Sequence, residues 1–228
     1  FLLIRQSKMN SLHAKLEMEQ KLLRSQMNPH FIFNAMVGIQ NYIYKEEPEV
    51  AANYLSSIVN LMRSIIDNSK KEYVSLDSEI STLHHYLTLQ QVRFSGKFNF
   101  IIHTDPKIET EEILIPPMMA QPFIENSIVH GIMQKTNGEG KIVIRFAVTD
   151  THLSLEIEDN GIGRGKAKEF AKGDDEHLSI ATNITVERLK ILNRNAKLKS
   201  SMAISDRFDE QGLASGTRVA FMFPLMYV

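Results

Sequence analysis

The 228-residue chain contains no cysteine, which excludes disulfide staples, thiol chemistry and cysteine-ligated zinc and suits a reducing compartment. It also lacks any apolar run near the roughly 20 residues that cross a bilayer. The opening FLLI, followed by Arg5 and Lys8, fits either the cytoplasmic end of a membrane helix or a start leading into a coiled coil. An excess of one charge is missing as well. Lysine plus arginine number 26 against 27 for aspartate plus glutamate, so nucleic acid is not an expected partner. No internal repeat or low-complexity tract interrupts the chain. What is present, 43% hydrophobic and 23% charged residues, is enough for one large or two modest domains with real cores.

Leu2, Met9, Leu16, Leu23, His30, Val37 and Tyr44 recur every seven residues, and Leu12 adds a second seam position. This spacing predicts a helix over 5–45 that packs against another. Pro48 suits a first helical turn, and Val50, Tyr54, Ile58, Leu61 and Ile65 keep one face apolar to about Asp67. The two helices form an antiparallel hairpin. Because 31–44 is apolar almost all round, a second copy completing a four-helix bundle is the economical way to bury it, so a homodimer is expected.

Beyond Ser75, a helix cap, Leu83, Leu87 and Leu89 carry a helix to about Phe94, and Gly96 ends it. Phe98, Phe100 and Ile102 alternate as in a strand, and ILIPPMMAQPFIENSIVHGI reads as an apolar lead-in to a proline-initiated helix. KIVIRFAV and LSLEIE form a hairpin around 149–152. A glycine- and charge-rich loop over 160–176, a helix over about 179–194 and strands near 201–206 and 217–223 complete the pattern. Strands grouped against helices predict an α+β sandwich for 71–228, after a helical domain over 1–70.

Three short stretches carry chemistry. Asp159-Asn160-Gly161-Ile162-Gly163 puts a carboxylate at a strand end, where it can accept from an exocyclic amine, and two glycines that let a flat base approach the backbone. Alone it reads equally well as an Asx-Gly turn. Asn126 and His130, four apart on a helix, share a face on which they can hold a hydrated magnesium ion and a phosphate oxygen; a solvated polar face is the plain alternative. Ser215-Gly216-Thr217 precedes the last strand, and its threonine can brace Asp159 through a water.

In this order and spacing the three resemble the N box, glycine box and terminal GT element of the Bergerat-fold ATPases, shared by DNA gyrase, MutL proteins, heat-shock chaperones and sensor histidine kinases. With NPHFIFN ahead of the hairpin, then QVRF, IPPMMAQPFIENSIVHG, DNGIG and ERL, the chain looks like the LytS-type sensor histidine kinases over roughly residues 20 to 224. The resemblance implies that ATP and Mg2+ bind within 120–220, that His30 takes the γ-phosphate, and that an aspartate on a response regulator receives it. It implies that Asn126 holds the metal, Asp159 recognises adenine, Gly161 and Gly163 make room for the base, Thr217 supports Asp159, and Glu125 polarises a nucleophile or water. The chain would then be a cytoplasmic portion of an inner-membrane protein, reaching the membrane only through a segment N-terminal to it.

The seven-residue stripe by itself would bury His30. Pro29 disfavours helix at Asn28, so the helix is kinked there or restarted with Asn28 as cap. Beyond it, His30, Asn34, Gly38, Asn41 and Lys45 make a polar or small stripe that carries the histidine outward. Asn34, one turn on, can orient a water for hydrolysis of phosphohistidine. The chain departs from the family at Val129, where a lysine is usual, and in HLSIATNITVERL, where Ala181 and Thr182 replace glycine. Phosphate binding then falls to Ser179, Thr182, Asn183, Arg188 or the loop residues Arg164, Lys166 and Lys168. These departures keep open a weakened pseudokinase or dimeric scaffold. An ATP-driven clamp is disfavoured, because it would not explain NPHFIFN on a hairpin.

Overall fold

A computed structural model describes residues 29–45, 47–136, 138–170, 175–194 and 196–228, with side chains from Met36 onward apart from 41, 46, 137, 168–181 and 195. It divides into two compact units, one up to Asn53 and one over Tyr54–Val228. Helix α1, Pro29–Tyr44, carries the expected hairpin's first helix; its heptad positions before Pro29 lie outside the described residues. Helix α2 runs Pro48–Ser69. Its Tyr54, Ile58, Leu61 and Ile65, spaced by three or four residues, are buried, while Leu55, Val59 and Ile66 are exposed. The polar end of α2 is tied down too: the buried Asn68 amide donates to Thr82 Oγ1 at 3.2 Å and to Ser78 Oγ at 3.4 Å.

Those two acceptors lie on helix α3, Leu76–Arg93, which starts as the sequence dictates, with Ser75 Oγ accepting the Ser78 amide at 3.3 Å. Gly96, at φ +71°, turns the chain out of it. The two-residue strands β1, Val74–Ser75, and β3, Leu114–Ile115, pair antiparallel around this helix start. The main sheet consists of β2 (Phe98–Thr104), β4 (Gly140–Val148), β5 (His152–Asp159), β6 (Ser201–Phe208) and β7 (Ala214–Pro224) in the order β2-β4-β5-β7-β6. The β2–β4 pair is parallel and the other three are antiparallel, so the sheet is mixed.

Period-two alternation gives the sheet one apolar face. Ile142, Ile144 and Phe146 of β4, Leu153, Leu155 and Ile157 of β5, and Val219, Phe221 and Phe223 of β7 are all buried. The opposite face carries a charged ladder in which Arg145 meets Glu158 at 2.7 Å and Arg218 meets Glu156 and Glu158. Helix α4, Gln121–Asn126, rests on the apolar face with the Phe123 ring edge-on to Phe221, centroids 5.5 Å apart.

Three local expectations change. The stretch expected to be a single helix is a turn at 116–120, then α4, then a π-helical segment over Ser127–Ile132. The loop expected over 160–176 holds helix α5, Gly163–Phe170: its charges belong to Arg, Lys and Glu, which are good helix formers, and Ala167 adds to them. Helix α6 begins at Asp175 and ends at Leu192. Among the described residues no helix is long and apolar enough to cross a membrane.

Candidate nucleotide site

Strand β5 buries every second residue, and the alternation that places Leu153, Leu155 and Ile157 inward places Asp159 inward as well. Asp159 is 3% exposed. A charge so placed needs hydrogen-bond donors, and three converge on it. Ser127 Oγ donates to Oδ2 at 2.8 Å, while the amides of Gly161 and Thr217 donate to Oδ1 at 2.8 and 3.3 Å. The Arg207 guanidinium binds the Asp159 carbonyl at 3.2 Å. Burial pushes the Asp159 carboxyl above its ordinary range, against the pull of the Gly161, Ser127 and Thr217 bonds and the Arg207 charge. Among the described residues two donors reach Oδ1 and one reaches Oδ2, which leaves Oδ2 a lone-pair direction for one further donor.

Three segments meet here because their main chains approach closely. A Cβ on Gly161 would lie 2.6 Å from the Gly131 carbonyl carbon, and the Ile162 amide donates to Gly131 O at 3.2 Å. Gly216 has φ +132°, and a Cβ there would lie 2.0 Å from the Asp159 carbonyl oxygen. Gly163 opens α5 against Ala214. The space beside Gly161 and Gly163 thus goes first to joining the end of β5 to the π segment and to β7. Thr217 reaches Asp159 directly through its amide.

The π segment brings Ser127 beneath Asp159 and Gly131 against Gly161, and π turns recur at functional sites. Asn126 and His130 are half-buried on either side of the change from α to π winding, so they do not share one face of an uninterrupted α-helix. Glu125 lies beside Tyr86 and Arg93 of α3, where its charge opposes ionisation of the buried tyrosine and favours the guanidinium. Thr182, on α6, is half-buried. His30 and Asn34 lie four apart on α1, and their side chains, like that of Ser179 on α6, lie outside the described residues.

Two basic residues expected to be available for phosphate are otherwise engaged. Arg188 is half-buried and donates to the Pro117 carbonyl. Arg164 of α5 grips Asp206 of β6 with two bonds at 2.8 and 3.0 Å. Lys166 is exposed. Sequence reasoning missed Ser127, Gly131 and Arg207. Ser127 and Gly131 stand inside the ENSIVHG stretch, but an α-helical period does not turn both toward Asp159; the π segment does.

Residues 18–98 match the family described as histidine kinase. The sensor histidine kinase/phosphatase LytS of Staphylococcus aureus is 30% identical over 209 residues, covering 90% of this chain and 34% of that protein. The chain therefore spans about a third of the length of this relative. Among solved structures, the histidine kinase domain of a blue-light activated histidine kinase from Erythrobacter litoralis is 13% identical, covers 92% of this chain and 93% of its own, and has a TM-score of 0.46. The histidine kinase AdeS of Acinetobacter baumannii is 14% identical, covers 89% and 98%, and has a TM-score of 0.44.

Proposed function

We propose that this chain is the kinase region of a two-component sensor, which phosphorylates His30 from ATP and passes the phosphoryl group to an aspartate of a response regulator. Residues 1–70 form the dimerising phosphoacceptor hairpin, completed to a four-helix bundle by a second copy, and 71–228 the Bergerat-fold ATP-binding domain. The observation that carries the reading is the buried Asp159 carboxylate, held by Ser127, Gly161 and Thr217 with one acceptor direction left on Oδ2. That direction suits the exocyclic amine of adenine, whereas the carbonyl of guanine would be repelled.

Asn126, at the end of α4, would hold Mg2+, and His130, in the π segment that follows, would meet a phosphate oxygen. Bound there, the metal would neutralise phosphate charge, a role that takes few protein ligands. Thr182 and Ser179 on α6 donate to phosphate oxygens. The neutral imidazole nitrogen of His30 attacks the γ-phosphorus as the bond to the bridging oxygen breaks; a P–N bond forms and ADP leaves. Asn34 orients the water that removes the phosphate, an activity in keeping with the word phosphatase in the relative's name. Glu125, beside Tyr86 and Arg93, polarises a nucleophile or water. The complete protein would reach the inner membrane through a segment preceding this chain, leaving this region in the cytoplasm.

Incubation with γ-labelled ATP and Mg2+ tests the proposal. A kinase gives acid-labile, alkali-stable label that is lost in His30→Gln. Nucleotide turnover without label would indicate an ATP-driven clamp, and neither would indicate a scaffold.

A further inference from the structure

Helix α3 sends one carboxylate into the interior. Glu79 is fully buried, and both its oxygens accept the Met118 amide, at 2.9 and 3.0 Å. The carbonyl of that same peptide unit, belonging to Pro117, accepts from the Arg188 guanidinium of α6. One peptide group is thus held from both ends by opposite charges on two different helices. Met118 has φ +60°, the conformation that the third residue of a type II turn adopts and that glycine takes by preference. Rotating the 117–118 peptide would relieve this strain, and the two charged side chains oppose the rotation.

Position gives the clamp its meaning. Three residues past Met118 the chain enters α4, which delivers Asn126 and, one residue on, Ser127 beneath Asp159. Arg188 fixes α6 to the same turn, and α6 carries Thr182. On the other side, Ser78, next to Glu79, is hydrogen-bonded to Asn68 of α2. The groups facing Glu79 are therefore the Met118 amide and Arg188, with the Tyr73 hydroxyl close to Arg188. We propose that Glu79 and Arg188 are positioning residues for nucleotide binding, which hold the 117–118 peptide in its strained orientation and thereby set α4 and α6 at the site; this rests on the ATP-binding reading above.

The whole chain is compared with Glu79→Ala, Glu79→Gln and the double variant Glu79→Ala/Met118→Gly by amide hydrogen exchange without nucleotide, by Mg-ATP titration and by the rate of labelling at saturating ATP. Glu79→Ala is expected to speed exchange over 118–132 and to weaken ATP binding about tenfold, as loss of a charge-assisted hydrogen bond does, while the saturated rate changes by less than about threefold. Glu79→Gln keeps an acceptor for the amide and restores affinity. Met118→Gly, which accepts positive φ without a clamp, restores much of it in the alanine background. A residue of merely general structural importance would not be rescued from its own turn. Unchanged exchange over 118–132 in Glu79→Ala, or losses that neither Gln nor Met118→Gly recovers, overturns the inference. If the unmodified chain binds no ATP, the ATP-binding reading fails and takes the nucleotide role of the clamp with it, whatever the exchange result.

Discussion

Asp159 is held ionisable and aimed by other residues, and Ser127 is the contact most easily removed without moving the backbone. Ser127→Ala is expected to raise the ATP dissociation constant about tenfold, the value of one hydrogen bond to a charged acceptor, as measured by calorimetry. Gly216→Ala acts differently, because its Cβ would lie 2.0 Å from the Asp159 carbonyl oxygen. A loss on the order of 2–4 kcal/mol in urea unfolding is expected. Glu79 makes stability depend on pH. Burial pushes its carboxyl from an ordinary value of 4.5 up to about 7, against the pull of the Met118 amide and Arg188. The folded chain therefore holds an extra proton between those values, and its stability falls as pH rises through that window, by up to about 3 kcal/mol at roughly 1.4 per pH unit, and levels off above it. Urea midpoints at pH 5 and pH 8 should show this drop in the unmodified chain and a smaller one in Glu79→Gln; equal drops would remove Glu79 as the cause.

Among the elements, those with strong local signals were legible in the sequence. Alternation located β4 and β5, and with them the inward position of Asp159. Ser75 and Gly96 marked the ends of α3. What could not be read was set by tertiary contacts. The π segment that turns Ser127 and Gly131 to Asp159 has no period of its own in six residues. Helix α5 was hidden because charge and glycine suggest a loop until its alanine, lysines and glutamate are weighed as helix formers. Arg188 looked available for phosphate because nothing local announces that Pro117, 71 residues away, will take it. On α1, Asn34 stands one turn from His30, so Asn34→Ala is expected to leave labelling of His30 intact and to slow the loss of label after ATP is removed. Loss of both activities would end that division of labour.

At the scale of the whole molecule, α2 buries Tyr54, Ile58, Leu61 and Ile65 yet leaves Leu55 and Val59 each 47% exposed. A second copy of the hairpin would cover these side chains. Leu55→Lys together with Val59→Lys should give a monomer by light scattering with an unchanged far-ultraviolet spectrum; a persistent dimer would place the interface elsewhere. In the proposed function two places in the chain act together, Asp159 as the base-recognising carboxylate and His30 as the phosphate acceptor. The most direct test measures label from γ-labelled ATP and ATP affinity side by side in Asp159→Asn and His30→Gln. Both variants are expected to lose the label, and only Asp159→Asn to lose affinity. Label persisting in either variant, or ATP binding unaffected by Asp159→Asn, would contradict the proposed function.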